Sequence, residues 1–349
     1  MGIRLIGRRE TRRTDYFLKA AEQLHIPVSF ADWDEVDQGD FAGEVVKLDP
    51  PSYETSDLFQ MNGQIRAYEG ALSKLENCGC YFLNSPAGIR RVLDKRACKE
   101  ELIHHGVPVT EMFPEKIENF WQLSEAMERH RTYSVFIKPV FCSGAAGVAA
   151  YRRTPGRDRE TAYTSCHMQE RELVNTKTIY RMEDPREIQR HLEMILSLGA
   201  VVERWHPKAS FQGQSYDLRV VWQFGRAVFM VVRRSKGPIT NLHLNNAAME
   251  IEKLQLSEQT IEEIEGVCEK AMEVFPELAM AGIDILLEKG SLHPRIIENN
   301  GQGDLMYQDI FKENRIYKEQ IRYMAEFALR QERKRTTAVE DIFEWRKRD

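Results

Sequence analysis

The sequence predicts an α/β protein in which a small domain built on an open parallel sheet is followed by two α+β units. Three observations predict it. Residues 3–33 run strand, helix, strand, which is how a parallel sheet begins. Beyond Pro139 the texture turns from helical to strand-rich. Two alternating stretches, 216–234 and 282–299, each break at a glycine as hairpins do, with an amphipathic helix between them. At 349 residues the chain has room for two or three domains.

In order, Ile3–Gly7 reads as a short buried strand, Tyr16–His25 as an amphipathic helix and Pro27–Trp33 as a second strand. Asp49-Pro50-Pro51 is a break. Leu58–Glu76 follows as a helix and Tyr81–Asn84 as a short strand, and the first domain ends near Ser85-Pro86. Ile89–His104 reads as one helix rich in Arg, Lys and Leu. Ser134–Val140 is β-rich, Ser143–Gly147 a loop of small residues, and Val148–Tyr151 a strand. Pro185–Leu198 is helical, with Asp184 as its N-cap. The first hairpin turns at Gly225-Arg226, Ser257 caps a helix running to Val274, and the second hairpin turns around Lys289-Gly290-Ser291. From about Tyr317 the tail is helical and strongly charged, and its Lys/Arg clusters, Arg330–Arg335 and Arg346–Arg348, read as a solvated face. The expected units are 1–85, 86–200 and 201–316, with 317–349 a helical tail.

Composition excludes several classes. Hydrophobic residues at 42% suffice for a sizeable core. With 49 Lys and Arg against 54 Asp and Glu, the formal charge is −5, the wrong sign for bulk nucleic-acid binding. No apolar run reaches the ~18–20 residues of a membrane helix, and Met1–Glu10 lacks the apolar stretch of a secretory signal. The six cysteines are too sparse for a disulfide scaffold and lack paired zinc spacing, so they read as reduced thiols of a cytoplasmic protein.

The last hairpin carries the sharpest chemical signal. With its loop centred on Ser291, Asp284 lies across from Glu298, and Glu298 shares a strand face with Asn300. Two carboxylates and an amide oxygen then converge, with apolar neighbours behind. Hard oxygen donors in that number suit Mg²⁺, with Mn²⁺ as an alternative, completed by water and phosphate oxygens. Acids centred in apolar strands are costly to bury unpaired, which weighs against two surface carboxylates facing lysines.

Lys138, at the end of the apolar run Phe136-Ile137-Lys138-Pro139, precedes the small-residue loop, where Ser143, Gly144 and Gly147 let backbone N–H groups approach phosphate. An ordinary strand end and turn is the alternative, and a Walker A loop is absent. Val201–Trp205 ends in Glu203, Arg204 and Trp205; it reads either as a core strand or as an edge offering groups to a purine. Asp217 and Arg219 share a face, and pairing across the turn brings Arg233 or Arg234 beside them, the register deciding which. Such arginines meet phosphate or carboxylate, or form a surface charge ladder. Asn241 in Thr240-Asn241-Leu242-His243 adds an amide. Arg8, Arg9, Arg12 and Arg13 follow the first strand, where open α/β sheets place ligands; they read as an anion site or as a loop of local ion pairs. Cys142 reads as a packing residue.

Taken together and in this order, these segments resemble the ATP-grasp superfamily, and within it the RimK-like carboxylate–amine ligases. The resemblance spans roughly residues 85–310. It rests on Lys95 in Leu93-Asp94-Lys95-Arg96, Ile137-Lys138-Pro139 with its loop, Glu203-Arg204-Trp205 and Asp217-Leu218-Arg219. It continues through Arg233-Arg234, Thr240-Asn241-Leu242, Gly282-Ile283-Asp284 and Glu298-Asn299-Asn300. The chain also resembles bacterial ATP-grasp proteins that carry a Trp-x-Pro-Lys element, here Trp205-His206-Pro207-Lys208.

The resemblance implies a Rossmann-like first domain and two α+β subdomains that clasp ATP. It implies that Lys95 and Lys138 hold the α- and β-phosphates and that Ser143, Gly144 and Gly147 cover them. Glu203, with the backbone near Arg204 and Trp205, would hold adenine or ribose, and Asp217 would contact the nucleotide. Asp284, Glu298 and Asn300 would bind one or two Mg²⁺. Arg219, Arg233 and Asn241 would meet the γ-phosphate and the carboxylate substrate. The implied activity joins a small-molecule or peptide carboxylate to an amine through an acyl phosphate, in a protein that family habit makes a homodimer. Two rivals are an ATP-grasp kinase acting on a small molecule and a non-catalytic ATP-binding protein.

Overall fold

A computed structural model describes residues 1–52, 55–156, 159–170, 172–303 and 313–346, with 335–346 as backbone only. Its strands form three sheets, drawn from three consecutive stretches of chain. The first is parallel and contains β1 (Ile3–Gly7), β2 (Ser29–Asp32), β3 (Val45–Leu48) and β4 (Tyr81–Phe82) in the order β2-β1-β3-β4. The order reverses between β1 and β3, so a crevice opens beyond their carboxyl ends. Helix α1 (Arg12–Gln23) connects β1 to β2 and α2 (Leu58–Leu75) connects β3 to β4, while a 3-10 turn over Trp33–Gln38 joins β2 to β3.

Three expectations change here. The first helix begins at Arg12, because the Thr11 side chain accepts the Thr14 N–H and caps it there; Arg12 and Arg13 are therefore helical and not part of a loop. Strand β3 was not expected: it is four residues long and includes Lys47, whose charge is buried against Asp49. The expected single helix over 89–104 is two, α3 (Pro86–Leu93) and α4 (Lys95–His104). Asp94 leaves helical geometry at ψ 104° and its carboxylate accepts the N–H groups of Arg96 and Ala97, so it ends one helix and caps the next.

After α5 (Phe120–Arg129), the second sheet is antiparallel. It contains β5 (Ser134–Pro139), β6 (Ala149–Arg153), β7 (Glu160–Gln169), β8 (Glu172–Met182) and β9 (Ala200–Arg204), ordered β8-β7-β6-β5-β9. The β7–β8 hairpin occupies a polar stretch that gave no strand signal. Helix α6 (Pro185–Ser197), capped by Asp184, packs its Ile188, Leu192 and Ile195 with Val135, Ile137 and Val202.

The third sheet is also antiparallel. It holds β11 (Gln214–Gln223), β12 (Arg226–Ser235), β13 (Ala247–Glu250), β14 (Met280–Leu287) and β15 (Pro294–Asn300), ordered β13-β12-β11-β14-β15, with β10 (Ser210–Phe211) on β11. Helix α7 (Glu258–Val274), capped by Ser257, covers one face through Ile264, Cys268 and Ala271 against Leu218, Val220, Ile283 and Ile285. Helix α8 (Arg315–Arg346) returns to the first sheet, where Ile316, Ile321 and Met324 join Leu5, Phe17, Val221 and Val231 in one core. No helix among the described residues is long and apolar enough to cross a membrane.

Candidate functional site

Alternation along the strands decides which side chains reach the space between the second and third sheets. On β11, Leu218, Val220 and Trp222 point into the α7 core, so Asp217 and Arg219 point the other way. On β5, Val135 and Ile137 are core, so Phe136 and Lys138 face across. There lies an open cavity of about 660 Å³, lined from both sheets, from α4 and from the crevice of the first sheet.

The Asp284 end is built on β14 and β15. Asp284 pairs with Glu298, and a bulge follows, after which Ile285 pairs with Ile296. The extra residue is Ile297. It lets Ile296 face the α7 core while Glu298 faces the cavity with Asp284 and Asn300. Arg219 Nε lies 2.5 Å and Arg233 Nη1 3.2 Å from Asp284 Oδ1. Lys95 Nζ reaches the carbonyl of Cys142 at 2.5 Å and Glu298 Oε1 at 3.4 Å.

The register question is settled by pairing: Asp217 lies opposite Arg233, not Arg234. Asp217 is 3% exposed and is met by Arg233 Nε at 2.7 Å, Lys208 Nζ at 3.2 Å and the Thr240 hydroxyl. Burial opposes its charge, but Arg233 and Lys208 more than offset this, and its pKa falls to about 2. Across the cavity, Lys138 Nζ is 2.9 Å from both oxygens of Glu203. Lys99 Nζ and the Thr110 hydroxyl each approach the same carboxylate at 2.6 Å. Against the cost of burial, the two lysines bring the Glu203 pKa down to about 2.

The loop after β5 has positive φ at Gly144, Ala145 and Gly147. Gly147 is fixed by space as well: a Cβ there would stand 2.8 Å from Pro139. Ser143, Gly144, Asn241 and Arg204 line the cavity. Gly147 and Trp205 are not among its lining residues; the Trp205 ring packs against Phe136 at a tilt of 58°, centroids 5.4 Å apart, under the Arg152 guanidinium. From the first sheet come Arg13, which donates to the Gln302 carbonyl at 2.9 Å, and Pro50-Pro51-Ser52. Arg8 and Arg9 are instead paired with Asp32, Asp34 and Glu35. His243 also lines the cavity; burial, then Arg219, Arg13, Arg233 and Lys177, lower its pKa, so the ring is uncharged at neutral pH.

Solved structures share the fold of this chain almost end to end. D-cycloserine synthetase DcsG is 13% identical, with 95% of this chain and 99% of that one covered at a TM-score of 0.61. A RiPP-associated ATP-grasp ligase of Chryseobacterium gregarium, solved with ADP and a leader and core peptide, is 13% identical over 93% and 97% at 0.58. The ATP-grasp ligase PsnB, solved with a minimal precursor, Mg and ADP, is 12% identical over 92% and 98% at 0.53. The chain has the ATP-grasp fold. No protein-family model matches the sequence, and no curated protein does.

Within this ATP-grasp fold, the cavity gathers all but Gly147 and Trp205 of the residues expected to hold nucleotide, metal or carboxylate, while Arg8, Arg9 and Arg12, which follow the first strand, stay outside it. It also contains groups that sequence reading passed over: Lys208, Thr240 and His243 on its wall, with Lys99 just behind it. Lys99 had a readable signal, since it follows Lys95 by one helical turn on the same face of α4. Lys208 stood in a quoted motif, but only the fold shows that it meets Asp217.

Proposed function

We propose that this protein is an ATP-dependent carboxylate–amine ligase working through an acyl phosphate. The observation that carries the reading is the convergence of Asp284, Glu298 and Asn300 beside Arg219 and Arg233 in a cavity that Lys95 and Lys138 also line. The donor set fits a hard divalent cation: two cross-strand carboxylates and a neighbouring amide oxygen, all oxygen donors. Mg²⁺ held there would neutralise phosphate charge.

The chain's own residues would do the following. Lys95 and Lys138 hold the polyphosphate of ATP, with the Ser143–Ala146 loop over it. Arg219 and Arg233, already clustered against Asp284, gather the γ-phosphate and the carboxylate whose oxygen attacks it as ADP leaves. Asn241 lines the same region. The amine then attacks the acyl carbon and phosphate departs. His243, uncharged at neutral pH, offers a ring nitrogen to accept the proton that the amine loses. The solved ATP-grasp proteins include a small-molecule synthetase and peptide-bound ligases, so both substrate sizes belong to the proposal. The six cysteines are unpaired, which fits a reducing compartment such as the cytoplasm.

The test is product analysis with ATP, Mg²⁺ and panels of carboxylates and amines. The expected result is release of ADP and phosphate only when both partners are present, an amide product, and a hydroxamate when hydroxylamine replaces the amine. Arg219→Met should slow this about 100-fold. A stable phosphorylated product would make the protein a kinase, and ATP binding with no turnover would make it a sensor.

A further inference from the structure

We propose that Lys99 is a positioning residue for the nucleotide: with Thr110 it holds Glu203 from behind the cavity wall and so leaves Lys138 able to turn to phosphate. The inference rests on the ATP-binding part of the function proposed above and deepens it.

Glu203 is 3% exposed, and both of its oxygens are engaged. Lys138 Nζ is 2.9 Å from each, Lys99 Nζ is 2.6 Å from Oε1, and Thr110 Oγ1 donates to Oε2 at 2.6 Å. Two ammonium groups therefore share one buried carboxylate, and the cluster carries an excess positive charge with an anion still to be met. The two lysines are not equivalent. Lys138 lines the cavity, whereas Lys99 is 4% exposed and lines only a narrow cleft behind it. Lys138 is the one that can reach an anion in the cavity.

Were Lys138 the sole counter-ion of Glu203, turning to phosphate would strand a buried carboxylate, which is strongly unfavourable. With Lys99 and Thr110 in place, Glu203 keeps a charge partner and a hydrogen bond throughout. Lys95 and Lys99 lie one turn apart on α4, so one short helix, capped by Asp94, sets both a cavity lysine and the lysine that frees the other.

The groups facing Lys99 are Glu203 from β9, Lys138 from β5 and Cys98 from its own helix, while Lys95 and Glu298 pair with each other across the same cleft at 3.4 Å. Burial, with help from Lys138, lowers the Lys99 pKa to about 8 against the upward pull of Glu203. Lys99 is thus charged below that pH and loses its charge above it.

The experiment is calorimetric titration of the full chain with ATP and Mg²⁺. Lys99→Met is expected to weaken binding about tenfold or more, and Lys99→Arg to stay within about threefold of the parent protein. In a Glu203→Gln background, Lys99→Met should add no further loss, because the residue acts through that carboxylate. The parent's affinity should fall as pH rises through about 8, while Lys99→Arg stays flat. A purely structural lysine would lower the melting temperature and leave the pH profile and the Glu203 coupling untouched. Parent-like binding by a folded Lys99→Met, or additive losses in the double variant, overturns the inference. If Lys99→Met fails to fold, an identical alkaline fall in Lys99→Arg and the parent overturns it instead. A parent protein that does not bind ATP and Mg²⁺ overturns the ATP reading itself.

Discussion

Glu203 and Asp217 are nearly inaccessible carboxylates that stay ionised because each is surrounded by cations: Lys138 and Lys99 for the first, Arg233 and Lys208 for the second. Their native pKa values, about 2 in both cases, lie below the unfolded values of 4.5 and 3.8. The unfolded chain therefore binds the protons more tightly, and the stabilisation is complete above the unfolded values and lost as pH falls toward 2. Urea unfolding should give a stability that is level above about pH 5 and drops steeply below about pH 4. Glu203→Gln should lower stability at neutral pH by about 3 kcal/mol, because it leaves two buried ammonium groups without their carboxylate, and should make the acid fall shallower. An acid limb unchanged by that substitution would mean that Glu203 titrates as an ordinary carboxylate.

At the level of the element, the β14–β15 hairpin does most to shape the site. Its eight-residue strand β14 is buried throughout, which anchors Asp284 on a rigid support. The hairpin is packed too tightly for change at Gly282. A Cβ there would stand 2.0 Å from the Gly303 carbonyl and 2.6 Å from Arg219 Nη1, the same guanidinium that pairs with Asp284 and bonds Gly303. Gly282→Ala should therefore displace the 301–303 turn and pull Arg219 from Asp284. The expected outcome is a loss of about 1–3 kcal/mol of stability in thermal unfolding. Nucleotide binding should weaken with it, whereas Gly290→Ala at the far turn should leave binding intact.

Across the whole molecule, the cavity is made where three sheets meet, and no one of them contains it. Lys138 and Glu203 come from the second sheet, Asp217, Arg233 and Asp284 from the third, and Arg13 and Pro50 from the crevice of the first. A ligand filling this space ties the parts together, and stabilisation by binding follows mass action: about 2.7 kcal/mol at one hundred times the dissociation constant. ATP with Mg²⁺ should raise the melting temperature by a few degrees, ATP with EDTA by much less. Equal shifts with and without the metal would argue against Asp284, Glu298 and Asn300 as its ligands.

Local physics was legible in the sequence. Helix caps at Asp184 and Ser257 could be read because a side chain bonding a nearby N–H involves only a few residues. The two hairpins, and the shared face of Asp217 and Arg219, follow from the period of two. The break at Asp94 was missed because two short amphipathic helices in series have the same composition as one long helix, β3 because the four residues Val45–Leu48 are too short a run to show a period, and β7 and β8 because their stretch is polar. Sequence order alone thus determined that the chain carries hairpin-borne acids, a strand-end lysine and paired arginines. The fold decided which of these meet. Arg233 rather than Arg234 faces Asp217, a bulge turns Glu298 away from Ile296, and Lys99 reaches Glu203 from another element. Register, bulges and contacts between distant segments depend on how whole sheets pack, and that free energy is spread over many residues rather than written in any short window.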